Sequence, residues 1–306
     1  MRPRHVLLAT LIAALWGFNF VPIKVGLEDF PPLLFAALRF VAAAVPAVFL
    51  VARPKVAARW LLLVGVPLGV GQFGLLFIGM HLGMPAGLSS VILQTQALFT
   101  ALFAGFLLRE RLRAGQTAGM AVAFAGVTIL GVAQTGGEGS PAVAFAVCVG
   151  GAAMWGLANV AMRRMNQTTD EPVDALGFMV WMSLVPPIPL FGLSLVFEGP
   201  GALPEAVTSA SLAGVLSLGY IAYISTLVGF GVWGWLMRRY EASTVAMYSL
   251  LVPPFGIASA VILLDERLSP LRALAAVLII SGVAIGSVRP RARAVLPAVP
   301  EPVQTR

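Results

Sequence analysis

Long apolar runs alternate with short polar segments along nearly the whole chain. A helix crosses the hydrocarbon core of a bilayer with about 20 largely apolar residues, and ten runs are long enough to do so. They cover residues 6–26, 32–52, 59–80, 84–108, 114–133, 141–162, 173–197, 209–237, 242–264 and 270–288. The pattern therefore predicts an all-α membrane protein with ten transmembrane helices.

Polar residues and prolines interrupt several of these runs. Gln94 and Gln96 lie inside the fourth run, and the eighth is long enough to be tilted or broken. Pro186-Pro187 and Pro253-Pro254 each remove backbone donors, so they predict kinks in the seventh and ninth helices. Such breaks often mark moving or substrate-facing segments of carriers, although a static kink explains them equally well.

The chain also repeats itself. The segment LLRERL at 107–112 returns as LLDERL at 263–268, an offset of 156 residues. Near the start, AALWG at 13–17 returns as AAMWG at 152–156, an offset of 139. The difference of 17 residues is expected to lie in segment 197–211. Two related halves are the first conclusion, because internal repeats decide how the whole fold is interpreted.

The repeat predicts how the two halves enter the membrane. Residues 1–135 form the first five-helix repeat, residues 136–290 the second, and residues 291–306 a disordered cytoplasmic tail. Five is an odd number, so the second repeat must be inverted relative to the first. Inverted repeats place a substrate site near the middle of the bilayer, between the halves. The alternative is a duplicated scaffold that transports nothing.

Composition and charge support this interpretation. Apolar residues make up 59% of the chain and charged residues 11%, whereas soluble domains carry about 25% charged residues. The net charge of +7 is scattered between apolar runs, so it predicts topology signals and not a nucleic-acid partner. With both termini in the cytoplasm, 16 of the 20 lysines and arginines fall on the cytoplasmic side.

Several chemistries lack the residues that they need. The chain has no phosphate-binding loop of the form GxxxxGK[ST] and no HExxH motif. It has one cysteine, Cys148, and two histidines, so neither a metal site nor a cofactor is expected. No aspartate or glutamate lies in the middle of a predicted helix, which argues against a membrane-embedded hydrolase and gives little support to proton coupling through a carboxylate. Passive exchange is at least as compatible with the sequence.

The predicted substrate-binding residues are polar and aromatic side chains that share helix faces in both halves. Unpaired amides are costly in lipid, so these faces should line protein or a water-filled cavity. The set consists of Trp16, Asn19, Phe20, Lys24, Gln72, Ser90, Gln94, Trp155, Asn159, Tyr223 and Tyr248.

Each class of candidate also has a structural explanation. The amides could be interhelical hydrogen-bond partners, and Lys24 could reach the outer headgroups. Tyr220, Trp235 and Tyr240 are assigned to the interfacial aromatic belt. Arg39, in the second helix, could bind backbone carbonyls or one of the acids at 28–29.

The chain resembles the drug/metabolite transporter superfamily. The resemblance rests on Leu15-Trp16-Gly17 with Asn19-Phe20 and Lys24, on Arg39-Phe40 in the second helix, and on Glu-Arg-Leu after helices four and nine. It covers residues 6–288 and is strongest for the EamA branch, within it for YddG-type bacterial amino acid exporters.

The resemblance implies a secondary transporter of the bacterial inner membrane that exports amino acids and related metabolites by alternating access. Its cavity would hold aromatic or other bulky neutral substrates against Trp16, Trp155, Tyr223 and Tyr248. A nucleotide-sugar, organophosphate or drug transporter of the same superfamily is the alternative, and a membrane-embedded enzyme or scaffold is the more distant one. The protein is expected to act as a monomer or homodimer in the lipid bilayer.

Overall fold

The computed structural model describes residues 1–110, 112–134, 141–169, 171 and 173–287. Its long helices, numbered α1 to α10, are Pro3–Asp29, Pro32–Val48, Ala58–His81, Ala86–Leu107, Ala114–Gln134, Pro141–Thr168, Ala175–Phe197, Leu212–Arg239, 242–263 and Pro270–Ser287. Within the described ranges all secondary structure is helical. The predicted tail, 291–306, lies outside them.

Nine of these helices are long and apolar enough to cross a membrane. The tenth, α2, is an apolar helix of 17 residues. Each predicted run therefore corresponds to one observed helix, with ends that differ by a few residues. In hydrocarbon a backbone must satisfy its own hydrogen bonds, which is why apolar runs of this length become helices.

Segment 197–211, where the difference between the two offsets is expected to lie, contains a short helix, Ala202–Ser209. After it, Ser211 accepts a hydrogen bond from the Gly214 backbone N–H and so caps the start of α8. The Asp29 carboxylate at the end of α1 accepts the Ser211 backbone N–H at 3.0 Å. These bonds fix where α8 begins, three residues later than the apolar run suggested.

Several helices depart from α-helical geometry near their middles. α3 is π-helical over Val66–Gly74, and α8 is π-helical over Tyr220–Val228. In α9 a 3-10 turn, Met247–Leu251, precedes a new helical segment that contains Pro253-Pro254. In α7 the helix stops at Met182 and resumes at Pro187. Both helices are therefore interrupted at their proline pairs, where the sequence predicted kinks.

The halves contact each other through matching positions. Gly17 of α1 lies against Phe255 and Gly256 of α9, and Gly156 of α6 lies against Phe99 and Thr100 of α4. Adding 139 to residue 17 gives 156, and subtracting 156 from residues 255 and 256 gives 99 and 100. One contact is thus the counterpart of the other, with the halves exchanged.

The α5–α10 pair shows the same exchange. A Cβ on Gly119 would lie 2.4 Å from the Gly282 carbonyl oxygen, and one on Gly126 would lie 2.8 Å from the Ala275 carbonyl oxygen. Adding 156 turns residues 119 and 126 into 275 and 282. Small residues allow this close approach of two helices.

We expect Gly119→Ala to destabilise the fold, because its methyl group would meet backbone atoms of α10 that cannot rotate away. Overpacking of this kind costs about 1–3 kcal/mol. Gly115→Ala is the matched control: one turn away on α5, its Cβ would have its nearest neighbour, the Ile285 carbonyl oxygen, at 3.8 Å. Thermal unfolding of both variants in detergent measures the difference. Equal melting temperatures would contradict the packing described.

Candidate functional site

An aromatic cluster joins α1 to α8. The Trp16 indole Nε1 donates to the Ser225 carbonyl oxygen at 2.9 Å. Its ring centroid lies 5.3 Å from that of Phe230 and 5.0 Å from that of Trp233. Gly229 makes the approach possible, since a Cβ there would lie 2.6 Å from Trp16 Nε1. Trp16 therefore meets α8 at Ser225 in its π-helical part and at Phe230 and Trp233 in the α-helical part that follows.

Arg39 lies between the two π-helical segments. Its Nη2 donates to Thr226 Oγ1 of α8 at 3.0 Å, and its guanidinium carbon lies 3.6 Å from the ring centroid of Phe73 on α3. A second ring, Phe40, lies 4.5 Å away. The side chain is buried, with Nε and Nη1 unpaired. The two alternatives considered for Arg39, backbone carbonyls and the acids at 28–29, are not its observed partners.

Two of the predicted amides are buried with unpaired atoms. Neither Nε2 nor Oε1 of Gln72, on the π-helical part of α3, has a hydrogen-bond partner, and the residue is 1% exposed. Asn19, at the break between the two segments of α1, keeps Oδ1 unpaired. Leaving such atoms unpaired costs about 1–3 kcal/mol each. A ligand or a water molecule could therefore form hydrogen bonds with these side-chain atoms.

Two other predicted amides make interhelical hydrogen bonds. Asn159 Nδ2 on α6 donates to Gln96 Oε1 and to Thr100 Oγ1 on α4, the latter at 3.1 Å. Gln94 Nε2 donates to the Ser249 carbonyl oxygen on α9 at 2.8 Å. For these two residues the structure matches the alternative of hydrogen bonding between helices.

The remaining candidates are spread over the bundle. Lys24 Nζ donates to the Met80 carbonyl oxygen at 3.4 Å, and Ser90 Oγ donates to the Gly87 carbonyl oxygen at 2.6 Å within its own helix. Phe20 is buried in the main apolar core, and Trp155 packs against two cores. Tyr223 is 43% exposed, and Tyr248 packs near Ala9, Leu236 and Val245. The contacts thus place the predicted residues at several helix interfaces and not in one cluster.

Carboxylates bind the starts of two helices. Glu198 accepts the backbone N–H groups of Leu33 and Leu34 at 2.6 and 3.0 Å, at the start of α2. Glu266, from the repeated Glu-Arg-Leu motif, accepts those of Ala86 and Gly87 at 2.6 and 3.0 Å, at the start of α4. These first N–H groups have no partner within their own helix, and the helix dipole favours an anion there.

The copy of the motif in the first half has a different partner. Glu110 Oε2 lies 2.8 Å from Arg163 Nη1, at the end of α6. Both copies share one backbone turn, since Arg109 and Asp265 have φ values of 54° and 52°. The sequence indicated that this motif recurs, but nothing in it revealed which helix start the carboxylate binds.

The family model described as the EamA-like transporter family matches residues 4–132 and again residues 142–288. The chain belongs to the EamA-like transporter family. It is a multi-pass membrane transporter and not an enzyme, and the two matches confirm the duplication inferred from the repeated segments.

Similar proteins from bacteria agree with this assignment. A probable amino-acid metabolite efflux pump of Escherichia coli (strain K12) is 42% identical over 93% of this chain and 95% of its own. The protein of the same description from Salmonella typhimurium is 42% identical over 91% and 93%. A probable terminal-alkyne amino-acid exporter of Streptantibioticus cattleyicolor is 25% identical over 89% and 90%.

One solved crystal structure shares the fold. It has a TM-score of 0.61 and 20% sequence identity, and the similarity covers 94% of this chain and 99% of that one. At this identity the likeness concerns the arrangement of helices alone.

We expect Asn159→Leu and Gln72→Leu to change stability in different directions. Asn159→Leu removes two interhelical hydrogen bonds and should lower the unfolding free energy by about 1 kcal/mol. Gln72→Leu removes unpaired buried atoms, so stability should stay the same or rise. Thermal unfolding in substrate-free detergent compares them. A comparable loss in Gln72→Leu would show that Gln72 has a partner in the empty transporter.

Proposed function

We propose that this chain exports amino acids, chiefly aromatic and other bulky neutral ones, and related metabolites across the bacterial inner membrane. The observation that carries the proposal is the Trp16, Phe230 and Trp233 cluster, which joins α1 to α8 at the end of the π-helical part of α8. Indole and phenyl faces bind apolar and aromatic groups through burial and ring contact. The printed descriptions of the relatives, two efflux pumps for amino-acid metabolites and one amino-acid exporter, support the same substrate class.

We further propose that all ten long helices cross the membrane and that the halves, 1–135 and 136–290, are inverted. The exchanged contacts of Gly17 with Gly156, and of Gly119 with Gly126, support a two-fold relation between the halves. The excess of lysine and arginine in alternate loops supports cytoplasmic termini. An odd number of helices in each half then gives opposite orientations.

An asymmetry between the two ends of this pair of halves supports alternating access. At the outer end Glu266 holds the start of α4, and Ser90 of α4 packs directly on Gly256 of α9. At the cytoplasmic end its counterpart, Glu110, pairs with Arg163 instead. We infer that the structure is closed to the outside, and that Glu110 takes the start of α9, at Ala242, in the opposite state.

The organophosphate alternative needs several basic groups that converge on one anion. In the described part of the chain Lys24 binds the Met80 carbonyl oxygen, while Arg39 binds Thr226. No observation favours a joint phosphate site over the amino acid proposal.

Trp16→Ala should lower amino acid counterflow in proteoliposomes by roughly tenfold, because about 1.5–3 kcal/mol of apolar contact is lost. Trp235→Ala is the control, since Trp235 contacts His5 and not the Trp16 cluster. Counterflow of tryptophan, phenylalanine and methionine is measured with and without a pH gradient. Equal activity of both variants, at equal stability, would remove the cluster from the substrate site. Uptake only with a pH gradient would contradict passive exchange.

Glu266→Gln should open the outer end more often, since about 1.5–3 kcal/mol of charge-assisted hydrogen bonding is lost. The reporter is Ser90→Cys in a Cys148→Ala background, labelled from outside intact cells with a membrane-impermeant thiol reagent. We expect several-fold faster labelling. Glu198→Gln weakens a similar contact between a carboxylate and the start of α2. It should leave the labelling rate unchanged. Faster labelling in both variants, or in neither, would argue that Glu266 does not keep the outer end closed.

A further inference from the structure

Arg39 is a buried cation without an anionic partner in the described part of the chain. It is 3% exposed. The ion pairs among the described residues involve Glu171, Glu110 and Asp174, and Asp29 binds Ser211. A charge taken from water without a partner is costly, and ionisable groups at membrane depth usually have a functional reason.

The contacts that Arg39 does make orient the guanidinium and leave most of its donors free. Phe73 faces it at 3.6 Å, which stabilises the cation through the ring face. Thr226 accepts one bond from Nη2, while Nε and Nη1 are unpaired. Because Nη2 carries two hydrogens, one remains to form a fork with Nε or Nη1. Such a fork matches the two oxygens of a carboxylate.

The helix segments around Arg39 also have a feature that is frequent at functional sites. Phe73 lies in the π-helical segment of α3 and Thr226 in that of α8. Segments of this kind are frequent at functional positions. Thr226 directly follows Ser225, whose carbonyl oxygen binds Trp16. Phe230 of the aromatic cluster and Phe73 beside Arg39 pack against the same group of buried residues. A carboxylate at Arg39 would therefore share this part of the bundle with the aromatic cluster.

We propose that Arg39 binds the α-carboxylate of the transported amino acid, oriented by Thr226 and Phe73. This assignment rests on the proposed function and makes Arg39 a specificity-determining residue for it. Substrates that carry a carboxylate are selected over the corresponding amides and amines. In this structure the site is closed over the guanidinium, and it opens to substrate when the π-helical segments of α3 and α8 separate.

The test compares substrates that differ only in the carboxylate. Proteoliposomes containing wild type, Arg39→Met or Arg39→Lys are assayed for counterflow of phenylalanine and of phenylalaninamide. Arg39→Met should lower phenylalanine counterflow by about tenfold or more, as loss of a charge-assisted hydrogen bond implies, and change phenylalaninamide by less than about twofold. Arg39→Lys should give an intermediate ratio. Lys55→Met, which removes an exposed basic residue paired with Glu171, should leave the ratio unchanged.

The outcomes separate this assignment from the proposal beneath it. Equal losses for both substrates in Arg39→Met, or no loss for either, would overturn the role of Arg39 while wild-type amino acid transport stands. Wild-type protein that exchanges no amino acid would overturn the proposed function and this assignment with it. If Arg39→Met does not fold, the substrate ratios of Arg39→Lys and Thr226→Val decide, since a purely structural role would leave both ratios unchanged.

Discussion

Backbone hydrogen bonding in hydrocarbon is the constraint on which the rest of this structure depends. A helix satisfies its own groups except at its ends, where the first N–H groups remain free. At α2 and α4 those groups are bound by Glu198 and Glu266, which stand at the ends of α7 and α9. Each bond joins the first half to the second. The same need that makes the runs helical therefore also ties the halves together.

Close helix contact supplies the second link between the halves. Gly119 and Gly282 let α5 and α10 approach along their backbones, and Gly17 and Gly156 do so for α1 with α9 and α6 with α4. Apolar burial does not distinguish one helix partner from another in lipid, so shape and polar contacts decide the pairing. Each of these contacts occurs twice, once with each half supplying the glycine. The two halves can therefore pack against each other in two related ways.

The sequence predicted the elements of the fold well, because length and apolarity determine a spanning helix locally. All ten runs correspond to helices, and the proline pairs mark breaks. It was less informative about side-chain partners. Gln72 and Asn159 were equivalent as amides in apolar runs, yet one is unpaired and the other bonds to two side chains. Phe73 carried no signal, since its role depends on the position of Arg39 from another helix.

Buried polar side chains with hydrogen-bond partners differ in their expected role from those without partners. Glu266, Asn159 and Gln94 have their partners within the chain, so they hold helices together. Arg39 and Gln72 are buried with donors or acceptors that have no hydrogen-bond partner. A fold under selection for stability alone would replace them with apolar residues, which often cost nothing or stabilise. A polar molecule that completes their hydrogen bonds during the transport cycle, as we propose, would account for their presence in and between the two π-helical segments.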